Sequence, residues 1–320
     1  MARQHRVIPI FIPEKACPHR CVYCNQFAIA GQAHVPTPKE AHRIIEQHLA
    51  TIPDDAEKRI AFFGGSFTGM PIAEQNAYLE IARPYCENGS VSGIQLSTRP
   101  DYITPEVLDN LKSQGVVLIE LGAQSLDDEV LRKAGRGHTA RQVEEASELI
   151  LQYGFQLGLQ MMIGLPGDTL EKSLYTACRI RELGASCTRI YPTLVVDGTA
   201  LARQYREGRY QPLSIEEAVD WTKELYRYFT ENGIQILRIG LHPSEGLLSG
   251  KDYIAGPFHV SFKELVLTAL WHDRIEELAL KHQGEPFTLE VSPEEINYAV
   301  GYQSANRKAF PNVHIILRKG

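Results

Sequence analysis

The chain has 320 residues, of which 43% are hydrophobic and 22% are charged, and its formal net charge is −6. This length suits one large α/β domain or a barrel with a small appendage, and the composition is ordinary for a globular protein. The acidic balance argues against a wholly basic nucleic-acid binder, although a local basic patch remains compatible with it. No apolar run could span a bilayer, so we expect a soluble, cytoplasmic protein with no membrane partner.

Six apolar, β-branched runs alternate with helical patterns along the first part of the chain. The runs lie at 6–13, 59–65, 93–100, 116–125, 155–166 and 187–196. A helix is predicted to begin near Thr37, and Asp168 with Thr169 is predicted to cap another. Strands that are each followed by a helix form a parallel sheet with right-handed crossovers. The pattern changes after residue 200, so we predict an α/β fold with a partial (β/α)6 TIM-like barrel.

The remaining third of the chain reads as helices and short strands. Helical patterns cover 214–232 and 261–283, a strand-like run covers 234–239, and the last forty residues read strand, helix, turn, helix, strand. We therefore predict three parts. They are a barrel at 1–235, a helical extension closing the barrel at 236–284, and a small C-terminal βααβ element at 285–320.

Three cysteines lie within eight residues directly after the first apolar run. Cys17, Cys21 and Cys24 have the spacing C-x3-C-x2-C. Three thiolates on one loop can bind three irons of a [4Fe–4S] cluster, which leaves the fourth iron without a protein ligand. The amino and carboxylate groups of S-adenosyl-L-methionine (SAM) can chelate that open iron, and an electron from the cluster then cleaves the sulfonium. The spacing therefore predicts a radical enzyme.

Two other uses of these cysteines are weaker. A structural zinc site needs a fourth ligand and usually paired C-x2-C hooks, and only His19 and His34 lie nearby. A disulfide framework is not expected in a chain of this length with six cysteines and no signal peptide. A non-catalytic iron–sulfur or zinc protein remains the alternative outside the enzymes.

Glycine and polar motifs stand at the ends of the predicted strands, where the chemistry of parallel α/β folds gathers. Gly64 and Gly65 permit a close backbone approach, as to the amino group of the cofactor methionine, although a tight turn would use them too. Ser97 is a polar group at the end of the third strand. Glu120 is an acid within an apolar strand, and it therefore needs a partner. Arg136 could reach a carboxylate or a ribose, with a surface loop as the alternative.

The chain resembles the radical SAM domain of the Elongator catalytic subunit, a family that modifies the wobble uridine of tRNA. The similar strings are TRPDY (98–102), ELGAQS (120–125), RGHT (136–139), MMIGLPGDT (161–169), RIYPTLVVDGTAL (189–201) and GRY (208–210). The resemblance implies the radical SAM fold, a [4Fe–4S] cluster and SAM. Two features differ. The Elongator subunit has longer spacing between its cysteines, and it carries an acetyltransferase domain that we do not expect in this chain.

A second resemblance, to oxygen-independent coproporphyrinogen oxidase, implies a map of the cofactor pocket. By that likeness Gln124 and Arg136 contact the ribose and the carboxylate of the cofactor. Ser97 and Gln160 occupy the equivalent strand ends, where that family has acids. Tyr23 presents its backbone to the adenine.

The C-terminal residues loosely resemble the core of a KH domain, with a helix, a G-x-x-G-like turn and a second helix. Gly301 opens the turn, and Ser304 stands where the second glycine would be. KH turns clamp a nucleic-acid backbone. Four basic residues and no acid follow within 296–320, namely Arg307, Lys308, Arg318 and Lys319. A cap that closes the open barrel is an equal alternative.

These features predict a radical SAM enzyme that cleaves SAM to a 5′-deoxyadenosyl radical and modifies RNA, in particular a tRNA base. The alternative among the enzymes is a small-molecule or porphyrin-like substrate. The reaction also requires an external electron donor, for which a flavodoxin or a ferredoxin is expected.

Overall fold

The computed structural model describes residues 5–13, 17, 21–31 and 34–318. Its strands are β1 (His5–Phe11), β2 (Glu57–Phe63), β3 (Ile94–Thr98), β4 (Val116–Gln124), β5 (Gln156–Ile163), β6 (Cys187–Pro192), β7 (Val195–Val196), β8 (Gln235–Ile239), β9 (Tyr253–Ala255), β10 (Phe287–Val291) and β11 (Val313–Leu317).

The strands are joined by helices of very different lengths. They are α1 (Gln26–Ala30), α2 (Pro38–Leu49), α3 (Ile72–Glu87), α4 (Pro105–Ser113), α5 (Asp128–Lys133), α6 (Ala140–Gln152), α7 (Leu170–Glu182), α8 (Ala200–Arg206), α9 (Ile215–Glu231), α10 (Glu245–Leu248), α11 (Phe262–Lys281), α12 (Ile296–Val300) and α13 (Ala305–Ala309). Short 3-10 turns lie at Phe67–Gly69, Pro100–Tyr102 and Tyr302–Ser304.

Seven parallel strands form the main sheet of the described residues, in the order β1-β2-β3-β4-β5-β6-β8. The order follows the chain, as repeated βα units with right-handed crossovers dictate. β1 and β8 are the two edges, and the described residues of these strands do not pair with each other. The predicted partial barrel is confirmed, and the strand-like run at 234–239 supplies a seventh strand beyond the six of the repeating pattern.

Apolar runs and polar caps explain why these elements form. The central strands bury many branched side chains completely, as with Ile10, Ile119 and Ile190, because helices cover one face of the sheet and the other face curves around the interior of the open barrel. Capping boxes begin α2, α6 and α9. Their N-cap residues are Thr37, Thr139 and Ser214, each with a Glu or Gln three residues later.

Two smaller units flank the barrel. β7 pairs with β9 in antiparallel fashion, and α10 packs near α1, directly after the cysteine loop. β10 and β11 pair in parallel, and with α12 and α13 they bury a small core against Trp271 and Ile275 of α11. The division at residues 235 and 284 remains a proposal. No described helix is both long enough and apolar enough to cross a membrane.

Candidate active site

The predicted site residues lie on consecutive strands and on the loops that follow them. Ser97 is the second-last residue of β3 and Gln124 ends β4, whereas Gln160 lies within β5, before its end at Ile163. The cysteine loop follows β1 and the Gly64–Gly65 loop follows β2. Because neighbouring parallel strands end at the same edge of a sheet, these groups face one region at the mouth of the barrel.

The second half of the cysteine loop is held by backbone hydrogen bonds. Cys24 N donates to Cys21 O at 3.0 Å, which makes a tight turn. Val22 N donates to Ala134 O at 3.0 Å, and Val22 O accepts from Leu201 N at 2.7 Å. The turn is thus held between the end of α5 and the start of α8. Two segments that are far from the cysteines in sequence therefore determine where the thiols lie.

Arg136 is the polar centre of this region. It is buried, and its Nη1 lies 3.3 Å from Cys21 Sγ and 3.2 Å from Tyr23 Oη, while Nη2 donates to Gly122 O. Burial disfavours its charge, but Tyr23 and the thiols of Cys21 and Cys24 hold the pKa of Arg136 above its usual range. Arg136 therefore stays cationic beside the cysteines, and a cation favours thiolates.

Cys17 lies on the other side of the loop and is also within the electrostatic influence of Arg136. Its Sγ lies 4.0 Å from Ser66 Oγ, next to the glycine pair. Burial raises the pKa of the Cys17 thiol, the bond to Ser66 opposes this, and the proximity of Cys21 adds to it. Arg99 and Arg136 also lower the pKa of Cys17. Arg136 thus acts on all three thiols, which are the sulfur donors that an iron–sulfur cluster requires.

The described residues contain no group of three or more His, Cys, Asp or Glu side chains arranged around a single metal ion. A mononuclear zinc site would need such a group. Thiolates that hold a [4Fe–4S] cluster bind different irons, so their sulfur atoms need not surround one point. His34 is exposed and lies 3.3 Å from Glu40, and His19 falls outside the described residues.

The Gly64–Gly65 loop has a backbone that side chains rarely permit. Both residues have positive φ, +87° and +45°. A Cβ on Gly64 would lie 3.1 Å from the carbonyl carbon and oxygen of Ile12. Gly65 N donates to Gln26 Oε1 of α1. The loop therefore packs tightly against the two ends of the cysteine segment, and glycine is required for this approach.

A buried polar network crosses the barrel below the strand ends. Glu120 is 1% exposed and accepts two hydrogen bonds from Arg189, through Nε and through Nη2 at 2.9 Å. Gln160 Nε2 donates to Ser97 Oγ at 2.8 Å and to Glu120 Oε2 at 3.2 Å. The partner that Glu120 needs is therefore Arg189. Sequence reasoning did not identify Arg189, although an arginine inside a buried strand is itself a signal of a paired acid.

Three buried polar atoms near Arg136 have no hydrogen-bond partner among the described residues. They are Arg136 Nε, Gln124 Oε1 and His138 Nδ1. Burial, followed by the charges of Arg136 and Arg99, lowers the pKa of His138 to about 3, so the ring is neutral at pH 7. Its Nε2 lies 3.3 Å from Ala123 O and donates there, which makes Nδ1 an acceptor.

These atoms form a donor and acceptor set that fits the cofactor predicted from the sequence. Buried polar atoms are normally paired, so a polar ligand is expected between them. Arg136 suits a carboxylate, and the carbonyl oxygen of Gln124 suits a hydroxyl donor. Gln124 itself has φ +67°, a left-handed conformation uncommon for a residue with a side chain and frequent at functional sites.

The C-terminal turn is fixed to the long helix α11. Tyr302 N donates to Thr268 Oγ1 at 2.9 Å, and the buried Asn306 Nδ2 donates to Thr268 O at 3.0 Å. Gln303 and Ser304 both have positive φ, +52° and +62°. The exposed Arg307 and Lys308 follow in α13, Arg318 is exposed after β11, and Lys319 lies outside the described residues.

Comparisons with known families match most of the barrel. The family model of the radical SAM superfamily matches residues 12–176, and that of the radical SAM C-terminal domain matches 185–272. The tRNA uridine(34) acetyltransferase of Dehalococcoides mccartyi is 29% identical over 242 residues, covering 64% of this chain and 53% of that protein. Protein YhcC of Escherichia coli is 27% identical, covering 67% of this chain and 71% of that protein.

A solved structure of an archaeal Elp3, from Methanocaldococcus infernus with its N-terminus deleted, has the same fold. Its TM-score is 0.65 at 19% sequence identity, and the match covers 87% of this chain and 64% of that chain. The chain thus spans about half of the curated acetyltransferase and about two thirds of the archaeal structure.

Proposed function

The chain belongs to the radical SAM superfamily, and we propose that it uses a [4Fe–4S] cluster bound by Cys17, Cys21 and Cys24 to modify a base of tRNA. The cofactors of this family are the cluster and SAM, and the chain is an enzyme. When bound, they supply a 5′-deoxyadenosyl radical by reductive cleavage of SAM.

The placement of the cluster is supported by one observation above the others, the position of Arg136. A single buried guanidinium contacts Cys21 and Tyr23 and acts electrostatically on Cys17 and Cys24. A cation at this point stabilises thiolates before a metal binds, and it offsets part of the negative charge of a thiolate-bound cluster. A structural loop would not require a buried, incompletely paired arginine.

In our proposal, the other site residues bind the different parts of SAM. Arg136 holds the carboxylate, Gln124 the ribose, and Gly65 brings backbone polar groups to the amino end. Ser97 and Gln160 contact the ribose from the neighbouring strands. The backbone of Tyr23 faces the adenine.

RNA as the substrate is supported by the relatives. The protein from Dehalococcoides mccartyi is named for acetylation of tRNA uridine 34, and 64% of this chain aligns with it. We propose a tRNA base as the target, and a flavodoxin or ferredoxin as the electron donor. We also place the enzyme in the cytoplasm, where reducing conditions preserve thiolates and the cluster they bind.

Anaerobic reconstitution tests the cluster assignment. The wild-type protein should contain about four irons and should form 5′-deoxyadenosine from SAM with dithionite. Changing Cys17, Cys21 or Cys24 to alanine should abolish both, whereas Cys86→Ala, a half-buried cysteine on α3, should change neither. Cleavage at wild-type rates in any of the three loop variants would overturn the assignment.

Incubation with unmodified tRNA tests the substrate. Nucleoside mass spectrometry should detect a mass change on one base that requires both SAM and reductant. An unchanged tRNA, together with turnover of a co-purified small molecule or a porphyrin, would replace RNA by the alternative substrate class.

A further inference from the structure

A groove of about 570 Å³ runs along β8, the edge strand of the barrel, between the end of α9 and the start of α11. Its lining includes Arg238, His259 and Lys263 and contains no aspartate or glutamate. The whole chain has a net charge of −6, so this local balance is opposite to that of the protein. A groove with only cationic charges on its walls concentrates anions.

Arg238 is the most informative residue of this groove. In the sheet it pairs in register with Arg189, and side chains of paired strand residues point to the same face. The charge of Arg189 is neutralised by Glu120, whereas no described carboxylate makes an ion pair with Arg238. Its Nε donates to Gly240 O at 2.9 Å, which fixes the side chain and leaves the terminal nitrogen atoms for another acceptor.

The environment of Arg238 makes an external anion favourable. Burial lowers its pKa, the nearby Tyr191 opposes this shift, and the positive charge of Arg189 adds to it. A half-buried cation without a counter-charge carries a desolvation cost that an anionic ligand would offset. Arg238 therefore differs from the surface arginines of this protein, such as Arg141, which lies 2.8 Å from Glu145.

The groove is continuous with the C-terminal element. The ring of His259 packs edge-on against Tyr302, with centroids 5.2 Å apart, and Tyr302 opens the turn that precedes Arg307 and Lys308. Val260, 59% exposed, stands at the rim, and Tyr226 lines the wall. Basic groups interspersed with apolar and aromatic surface are typical of single-stranded nucleic-acid sites, where phosphates pair with cations and bases stack.

We propose that this groove binds the phosphodiester backbone of a single-stranded segment of the RNA substrate, with Arg238 and Lys263 as phosphate ligands. The inference rests on the proposed RNA-modifying function. A groove of this volume is the size of a small-ligand pocket and holds about one or two nucleotides. Its position at the open edge of the barrel lets a strand held by the C-terminal element continue towards the mouth of the barrel.

Fluorescence anisotropy with unmodified tRNA tests the groove in the reconstituted holoenzyme, over about 50 to 200 mM KCl. The variant Arg238→Gln with Lys263→Glu should bind roughly tenfold more weakly, and the slope of log Kd against log salt should fall by about two, one for each lost phosphate contact. Lys281→Glu is the matched control, because Lys281 is an exposed lysine at the opposite end of the same helix.

Lys263 is exposed, so Lys263→Glu alone serves if the double variant fails to fold, and the slope should then fall by about one. Wild-type affinity and slope in the charge variants would overturn the groove while leaving the RNA function intact. If the wild-type protein does not bind tRNA even at the lowest salt concentration, the proposed RNA function is wrong, and the groove proposal falls with it.

Discussion

Breaking the Glu120–Arg189 pair should be among the most damaging single changes in the barrel. Arg189→Met removes the guanidinium, keeps the aliphatic length, and leaves the carboxylate of Glu120 with only the amide donors of Gln95 and Gln160. Glu120 is 1% exposed, so water cannot replace the lost partner. Removal of one member of a buried ion pair costs about 3–5 kcal/mol, and we expect a loss of this size in the free energy of unfolding.

The double variant Glu120→Gln with Arg189→Met separates charge from packing. Removing both charges abolishes the desolvation penalty, so the double variant should be more stable than Arg189→Met by about 2 kcal/mol. Urea unfolding of the anaerobically purified protein, followed by tryptophan fluorescence and circular dichroism, measures both differences. Arg141→Met breaks an exposed i,i+4 pair with Glu145 and should cost about 0.5 kcal/mol or less.

A loss in Arg189→Met no larger than in Arg141→Met would show that the carboxylate of Glu120 is neutral or hydrated in the native barrel. A double variant no more stable than the single variant would show that the unpaired carboxylate costs little, and that the loss in Arg189→Met comes from lost packing over the ring of Phe63, 4.6 Å from the guanidinium carbon. Either result would refute the counter-charge argument.

Three further changes test the site and the C-terminal element. Gly65→Val should leave the iron content intact but weaken SAM binding at least about tenfold, as measured by equilibrium dialysis, because valine does not tolerate φ +45° and the loop would have to change its backbone. Gly250→Val is the control, at an open site with φ +75°, and should bind SAM normally. His138→Gln should reduce the loss of stability on acidification. The pKa of His138 is about 3 in the folded state and near 6.5 in the unfolded state, so this histidine lowers the free energy of unfolding by up to about 1.4 kcal/mol for each pH unit from 6.5 down to about 3. If the urea midpoint of the variant falls with pH as steeply as that of the wild type, the imidazole is not buried and neutral. Arg307→Glu with Lys308→Glu should weaken tRNA binding and flatten its salt dependence in the same titration, and wild-type affinity would exclude α13 from the RNA interface.

The order and the ends of the elements could be predicted because their causes are local. Thr37 and Thr169 cap their helices through bonds from residues three positions later, as predicted, and the buried strands are continuous apolar runs. The place of β8 could not be predicted in this way. Two helices and β7 separate it from its neighbour β6, and the run at 234–239 alone does not reveal which edge it joins.

In the site, too, the residues themselves could be predicted from local signals, whereas their long-range contacts could not. Strand-end polarity and family resemblance indicated Ser97, Gln124 and Gln160, but not the contacts that orient them. Arg136 lies 115 positions from Cys21, and Arg189 lies 69 positions from Glu120. The first contact joins two loops that only the folded barrel brings together, and the second depends on register across strands, where a one-residue shift would exchange a partner for a residue of the opposite face.

The buried network also determines how the proposed ribose contact is made. Glu120 is fully engaged by Arg189, so its charge cannot serve a cofactor. Gln160 Nε2 uses both of its hydrogens, on Ser97 and on Glu120, which leaves the carbonyl oxygen of its amide as an acceptor. A ribose bound here, as we propose, would donate to a neutral acceptor whose orientation is set by an ion pair deeper in the barrel. In the proposed site, Glu120 and Arg189 therefore act as positioning residues for the cofactor, because they fix the amide of Gln160.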